Sequence, residues 1–118
     1  MSRKLDWIYF RKGCNTCKKA QAFLAGLGWE LGDQVVDATK ERMGESEALE
    51  LAKKHQRLVS IKGKSVNDVS LKKSGLSDDE ILQLLMGPSG NLRAPTFRHG
   101  KTLVVGYDES AYKDVLQG

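Results

Sequence analysis

An apolar segment that breaks at a glycine and passes into a helical pattern constrains the fold of this chain more than any other feature. Residues 7–10 are apolar and rich in β-forming side chains, and Gly13 follows them. The only two cysteines of the sequence, Cys14 and Cys17, lie at this junction, three residues apart. Residues at this spacing share one face of a helix, so the two sulfur atoms are expected to approach each other. The pattern predicts a strand, a turn and a helix that begins with a pair of thiols.

The charges around the pair favour ionised thiols. A helix N-terminus presents unpaired backbone N–H groups and the positive end of the helix dipole. Arg11, Lys12, Lys18 and Lys19 add four cations. Because the thiolate is the reactive species, we interpret the pair as a redox dithiol. We expect Lys12 to tune Cys14 electrostatically, although a solvated lysine without such a role explains its presence equally well.

Other interpretations of the cysteine pair fit less well. A zinc site needs two more ligands, and His55 and His99 lie far apart in the sequence, unlike the close second pair of a zinc finger. We therefore expect no metal and place both histidines on the surface. A structural disulfide over three residues would close a very small loop and add little stability. Two inert, buried cysteines fit poorly among lysines and an arginine.

Composition sets the broad class. The 118 residues suit a single domain over 1–118. Lysine and arginine number 19 and aspartate and glutamate 15, and this scattered excess of +4 does not argue for direct nucleic-acid binding. Residues 1–6 lack the apolar region of a secretory signal, and no apolar stretch reaches membrane-spanning length. We expect a monomeric, cytoplasmic protein without membrane contact, where a cysteine pair is more often catalytic than structural.

The first third of the chain predicts a βαβ unit. Residues 5–10 form a strand, and 17–27 carry the apolar spacing of a helix. Residues 29–37 form a second strand, which Gly32-Asp33 weakens and can interrupt with a bulge. Two strands joined by a helix in this way run parallel.

A largely helical section of about 39–90 follows. Residues 46–55 have helical spacing, and Ser77 opens a capping box that begins another helix. Residues 56–76 are ambiguous between a strand and short helical turns, and we favour short helices and loop. After this section, 96–98 and 102–105 read as two strands, and a last helix follows Tyr107-Asp108.

This order of elements, with a Cys-x-x-Cys after the first strand, resembles the thioredoxin fold. The resemblance implies an α/β, glutaredoxin-like domain: a four-stranded mixed sheet with helices on both faces and a helical insertion between the second and third strands. It also implies a cis-proline at the start of the third strand, facing the dithiol. Pro95 is the candidate, because it immediately precedes the strand 96–98. A trans proline at the start of an edge strand is the alternative.

Short segments narrow the resemblance. Leu92-Arg93-Ala94-Pro95 is similar to the Arg-x-Pro segment of the glutaredoxin-linked arsenate reductase (ArsC) family and its Spx-type relatives. Val105-Gly106-Tyr107-Asp108-Glu109 is similar to a segment near the end of Spx-type chains. Asp37-Ala38-Thr39-Lys40-Glu41 and Gly63-Lys64-Ser65 also resemble segments of family members. The similarity covers almost the whole chain.

The resemblance assigns roles to individual residues. The family nucleophile falls on Cys14, and Cys17 matches the second cysteine of Spx-type members. Of the three arginines that hold the oxyanion in arsenate reductases, one matches Arg93 and one falls near Lys62. The third falls at Gly106-Tyr107, where no arginine stands. Lysine does not reproduce the planar, bidentate donor of arginine, so arsenate reduction ranks low.

The expected activity is therefore thiol–disulfide exchange. The Cys14 thiolate attacks a disulfide or a glutathione mixed disulfide, and Cys17 resolves the mixed disulfide. Glutathione, thioredoxin or glutaredoxin is the expected electron donor, and no bound cofactor is expected. Arg93 would offer its charge to a carboxylate such as that of glutathione, with a plain surface salt bridge as the alternative.

Two alternatives remain open. The first is an Spx-type regulator that acts through RNA polymerase and uses the dithiol as an oxidation-sensitive switch. Against it, the sequence ends at Gly118 without the long C-terminal extension that we expect of such regulators. The second is arsenate reduction with a relocated arginine, for which Arg57 or Arg98 would have to lie near Cys14. We rank the reductase first, the regulator second and arsenate reduction third.

Overall fold

A computed structural model describes residues 3–5, 7–11, 15–30, 35–37, 43–62, 65–71, 75–87 and 90–117. In chain order the elements are β1 (Arg3–Lys4), β2 (Trp7–Phe10), α1 (Asn15–Gly26), β3 (Trp29–Glu30), β4 (Val35–Asp37), α2 (Glu45–Lys53), β5 (Arg57–Lys62), β6 (Ser65–Ser70), α3 (Asp78–Leu85), β7 (Thr96–His99), β8 (Thr102–Val105) and α4 (Glu109–Gln117).

Six strands form one mixed sheet in the order β4-β2-β7-β8-β5-β6. Strands β2 and β4 are parallel, as the predicted βαβ unit requires, and β5 and β8 are parallel as well. The remaining neighbours in this sheet are antiparallel. The predicted strand 29–37 is divided: β3 pairs with β1 in a separate two-stranded sheet, and β4 joins the main sheet. The expected bulge at Gly32-Asp33 lies outside the described residues.

Helices cover both faces of the main sheet, as the resemblance to the thioredoxin fold implies. On one face, α1 and α4 pack with Ile8, Phe97 and Val104 into one buried cluster. On the other face, α2 and α3 pack with Tyr9 and Leu103 into a second buried cluster. Alternate side chains of the central strands therefore enter opposite clusters, as the two-residue period of a strand requires. A mixed sheet between two helical layers is consistent with a thioredoxin-like fold.

The antiparallel hairpin of β5 and β6 corrects the prediction for residues 56–76. Residues 57–62 and 65–70 form strands rather than short helices, and the main sheet has six strands rather than four. Four consecutive residues of β5, Leu58 to Ile61, are buried, because β5 lies between β8 and β6 and has helices on both faces. Arg57 on β5 forms an ion pair with Asp68 on β6, with 2.8 Å between Nε and Oδ1.

Local capping signals place the helix ends. Ser77 begins α3 as predicted: its Oγ accepts a hydrogen bond from the Glu80 amide at 3.3 Å, and the Glu80 carboxylate accepts one from the Ser77 amide at 3.2 Å. The Asp108 carboxylate caps α4 by accepting a hydrogen bond from the Ala111 amide at 2.9 Å. Among the described helices, none combines the length and the apolar character needed to cross a bilayer.

Candidate functional site

The strand register brings the candidate residues to one end of the main sheet. Tyr9, near the end of β2, pairs with Thr96 at the start of β7, and Thr96 pairs with Val105 at the end of β8. Pro95 precedes Thr96, and α1 begins at Asn15, shortly after β2 ends. We call this edge the Pro95 end of the sheet. A loop-to-helix junction and a proline loop therefore lie at the same end, where the predicted dithiol belongs.

Cys17 is the described member of the predicted dithiol. It lies in the first turn of α1, is only 2 % exposed and belongs to the same buried cluster as Phe10 and Tyr112. Cys14 and Lys12 lie outside the described residues. The burial of Cys17 means that large molecules in solvent have poor access to its sulfur, which suits a second cysteine that reacts within the molecule.

The Ala94–Pro95 peptide bond is cis, as predicted from the order of elements. Pro95 is buried, and its carbonyl accepts a hydrogen bond from the Gly106 amide at 2.8 Å. The hydroxyl of Thr96, the first residue of β7, donates to the Arg93 carbonyl at 2.6 Å. The proline loop is thus held from both sides, by the turn after β8 and by its own following residue.

Gly106 is the residue that allows this close approach. Its φ angle is +98°, a region that residues with a Cβ rarely adopt. A Cβ at this position would lie 2.4 Å from the Ile61 carbonyl oxygen on β5. Only glycine therefore fits between β5 and the Pro95 loop, a requirement that the sequence pattern alone does not reveal.

Tyr112 on α4 connects this turn to the interior beside Cys17. Its side chain is fully buried, and its hydroxyl donates to the Gly106 carbonyl at 2.5 Å. Burial raises the pKa of Tyr112 well above its usual value, and the nearby negative charge of a Cys17 thiolate raises it further. Tyr112 therefore stays neutral and keeps its proton for the Gly106 carbonyl. Sequence analysis placed Tyr112 on a core helix face but assigned it no role at the site.

Arg93, predicted as an anion-binding residue, lies beside the Pro95 loop. Its backbone amide donates to the Leu85 carbonyl at the end of α3, at 3.0 Å. Its Nη1 atom is buried without a hydrogen-bond partner among the described residues. Burial lowers the pKa of Arg93, yet a guanidinium remains charged at neutral pH. A buried donor without an acceptor is costly, so an anion placed here would supply the missing partner.

Lys62, the second predicted anion-binding residue, lies at the end of β5 and is exposed. Its Nζ donates to the Gln83 carbonyl in α3 at 2.8 Å. The neighbouring Ser60 hydroxyl donates to the Leu84 carbonyl at 2.7 Å. Lys62 and Ser60 thus each bind one carbonyl near the end of α3.

Arg57 and Arg98, considered as relocated oxyanion ligands, lie at the opposite end of the sheet. Arg98 pairs with Trp7 at the start of β2, and Arg57 pairs with Thr102 at the start of β8. Arg57 also has its ion pair with Asp68. Neither arginine is near the Pro95 end, so neither supplies a further anion ligand there.

The expectation that His55 lies on the surface is wrong. Its side chain is only 4 % exposed, and its Nδ1 donates to the Leu51 carbonyl at 2.7 Å. Burial lowers the pKa of His55, and the positive charge of Arg98 lowers it further. His99 is partly buried, and its ring meets Trp29 edge-on with 5.1 Å between ring centres. Within the described part of the chain, no three His, Cys, Asp or Glu side chains come together as a metal site would require.

A cleft of about 290 Å³ opens between α1 and the edge strand β4. Its wall is mostly apolar. The lining residues are Phe10, Arg11, Cys17, Lys18, Gln21, Val35, Val36 and Asp37. Sequence analysis did not predict this cleft, because it depends on how far α1 stands from β4. The spacing of positions 17, 18 and 21, which share one side of a helix, is the only local signal for it.

Comparison with models of known protein families identifies a match. The sequence model of the ArsC family matches residues 9–115, from β2 into α4. The matched range contains both cysteines and the segment from Arg93 to Pro95. A search of curated proteins found no match.

Proposed function

Because the chain belongs to the ArsC family, which is thioredoxin-like, we propose that it is a thiol–disulfide oxidoreductase that uses Cys14 and Cys17. The observation that carries the proposal is the meeting of two features at the Pro95 end of the sheet. Cys17 lies buried in the first turn of α1, and the cis-Pro95 loop lies at the same end. A helix start beside a proline loop offers backbone donors and a surface on which a disulfide can bind.

The proposed cycle moves two electrons. The Cys14 thiolate attacks one sulfur of a substrate disulfide, forms a mixed disulfide and releases the first substrate thiolate. Cys17 then loses its proton, attacks the Cys14 sulfur and releases the second thiolate, which leaves a Cys14–Cys17 disulfide. Burial suits Cys17 to this intramolecular step, since a positioned group reacts far faster than a free thiol at ordinary concentration. Glutathione, thioredoxin or glutaredoxin returns the electrons, in the reducing cytoplasm where thiols persist.

Arg93 is the residue that we propose to recognise the substrate. Arg93 lies two residues before Pro95, and its buried Nη1 atom has no acceptor among the described residues. A carboxylate of the substrate, such as that of a glutathione mixed disulfide, gives this nitrogen a charge-assisted hydrogen bond. The substrates that we propose are therefore disulfides, or glutathione mixed disulfides, with a carboxylate close to the reacting sulfur.

The experiment is the reduction of a glutathione mixed disulfide by the purified protein, with glutathione and its reductase supplying electrons. Cys14→Ser should abolish turnover, and Cys17→Ser should accumulate a protein–glutathione adduct visible by mass spectrometry. Arg93→Gln should raise KM about tenfold, the effect of losing one charge-assisted hydrogen bond. Arg98→Gln, the same change at the opposite end of the sheet, is the matched control. Full turnover by Cys14→Ser would refute the proposal.

Arsenate reduction is the second candidate, and Arg93 is the observation that favours it. An arsenate oxyanion could accept hydrogen bonds from the same buried guanidinium nitrogen. Lys62 is held by the Gln83 carbonyl, and Arg57 and Arg98 lie at the other end of the sheet. Reductant consumption that depends on arsenate and is lost in Arg93→Gln would establish this activity. Co-purification with RNA polymerase without disulfide turnover would instead support the Spx-type regulator.

A further inference from the structure

We propose that the cleft between α1 and β4 binds an apolar group that carries a negative charge, as part of a small-molecule disulfide. Phe10, Val35 and Val36 form the apolar part of its wall. Val35 is 47 % exposed, one of two large hydrophobic side chains among the described residues that are so open to solvent. An apolar side chain left open inside a concave surface gains free energy when a ligand covers it.

The charged residues that line the cleft determine which ligand charge it favours. Arg11 and Lys18 line it and are both exposed, whereas Asp37 is its one lining carboxylate. Two exposed cations that line an apolar cleft favour an anion whose body is apolar and whose charge stays near solvent. An aryl carboxylate has this distribution: a flat ring for the wall and a carboxylate for the cations.

The size of the cleft limits the ligand to a small molecule. Its volume of about 290 Å³ lies just below the usual range for ligand sites, about 300–1,000 Å³. One or two fused rings fit such a volume, and a folded protein segment does not. Cys17 lines the cleft, so a molecule bound there lies beside this cysteine.

The cleft and Arg93 lie on different sides of β2. In the sheet order, β4 stands on one side of β2, and β7, which follows the Arg93 segment, stands on the other. A disulfide substrate can therefore have one half near Arg93 and an apolar half in the cleft, on the other side of β2. The claim that the cleft binds part of a disulfide substrate rests on the proposed function. The claim that it binds an aromatic anion does not depend on turnover.

The binding test is an NMR titration of the full-length Cys14→Ser protein with naphthoate, an aromatic anion that cannot undergo thiol exchange. The amide signals of Val35, Val36 and Gln21 should shift together, with a common dissociation constant. Naphthylmethylammonium, the cationic counterpart, should bind more weakly. Shifts confined to the neighbourhood of Arg93, or equal affinity for both probes, would overturn the proposal.

Charge variants at one position sharpen the test. Naphthoate should bind Val35→Lys about tenfold more tightly than Val35→Asp, because the two variants have lost the same apolar side chain and differ by two unit charges near the ligand. The order should reverse for the cationic probe. Val66→Lys and Val66→Asp are matched controls, since Val66 is 43 % exposed on β6, at the far edge of the sheet. Identical affinities in the two Val35 variants, both folded by circular dichroism, would refute the electrostatic argument.

A kinetic test connects the cleft to the dithiol. The pre-reduced protein with both cysteines is mixed with dithiobis(nitrobenzoate), an anionic aromatic disulfide, or with dithiodipyridine, a neutral one. Each protein dithiol reduces one disulfide and releases two aromatic thiols. Val35→Lys should raise, and Val35→Asp lower, the ratio of the anionic to the neutral rate constant. An unchanged ratio refutes the cleft as a substrate site, whereas unreactive thiols refute the proposed function and leave the naphthoate result to decide binding.

Discussion

Replacing Gly106 with alanine tests the packing that holds the Pro95 loop. The φ angle of +98° costs a residue with a Cβ about 1–3 kcal/mol. The added Cβ would also lie 2.4 Å from the Ile61 carbonyl oxygen, and relieving such an overlap in a packed interior costs about 1–3 kcal/mol more. Any shift of the turn also lengthens the hydrogen bonds to the Pro95 carbonyl and from the Tyr112 hydroxyl, each worth about 1 kcal/mol.

We therefore expect Gly106→Ala to lower the free energy of unfolding by about 3–5 kcal/mol, a large part of the about 5–15 kcal/mol of an ordinary domain. The measurement is urea denaturation followed by circular dichroism. With a slope of about 2 kcal/mol per molar urea, the midpoint should fall by about 1.5–2.5 M. Disulfide turnover per folded molecule should fall as well, because the Pro95 loop loses its partner.

Gly100→Ala is the matched control. Gly100 also has a positive φ angle, +61°, but a Cβ there would meet no described atom within 4 Å. Only the backbone cost of about 1–2 kcal/mol applies to it. If the two alanine variants unfold at midpoints that agree within error, the contact between Gly106 and Ile61 does not constrain the turn and the reasoning is wrong.

Three other contacts lead to independent predictions, each tested by measuring the free energy of unfolding in urea. Tyr112→Phe should lower the free energy of unfolding by about 1–3 kcal/mol because it leaves a carbonyl without its buried donor. Tyr107→Phe should lower it by less than about 0.5 kcal/mol because the Tyr107 hydroxyl meets an exposed carboxylate. Equal losses in the two variants would contradict this reasoning. The pKa of His55 is lowered from 6.5, so below that pH the unfolded chain binds a proton at His55 more readily than the folded chain does. The free energy of unfolding should therefore decrease as the pH falls below 6.5. His55→Gln should remove this contribution to the pH dependence. The pKa of Asp68 is lowered from 3.8 by the hydrogen bond from Arg57, so the stabilisation is present above that value and lost as acid protonates the folded carboxyl. Asp68→Asn should cost about 0.5 kcal/mol at neutral pH, since the pair is partly exposed, and nothing in strong acid; a difference independent of pH would argue against the ion pair.

The elements that were predicted correctly are those whose signal is local. The helix α1 shows the apolar spacing of its buried face in the sequence, and α3 shows its capping box at Ser77. The cis state of Pro95 was predicted from the order of elements, since a proline alone is only rarely cis. In each case one short stretch, or its position in the chain, carries enough information.

The parts that were missed depend on distant partners. The run from Leu58 to Ile61 is short and apolar, and such a run suits a strand and a buried helical turn equally well. It becomes a strand because β8, more than forty positions later in the chain, pairs with it. The burial of His55 after α2 and the cleft between α1 and β4 both depend on the distances between packed elements. No periodicity in the sequence encodes these distances.

The strand order also determines when the sheet becomes continuous during synthesis. The pair β2 and β4 comes from the first third of the chain, and the hairpin β5–β6 from the middle, and these two pieces do not pair with each other in the described sheet. The hairpin β7–β8 lies between them and joins both. Because the ribosome synthesises the chain from its N-terminus, the two sheet fragments keep unpaired strand edges until residues 96–105 emerge. Translation pauses ahead of that segment would therefore prolong the aggregation-prone stage, whereas pauses after it would not.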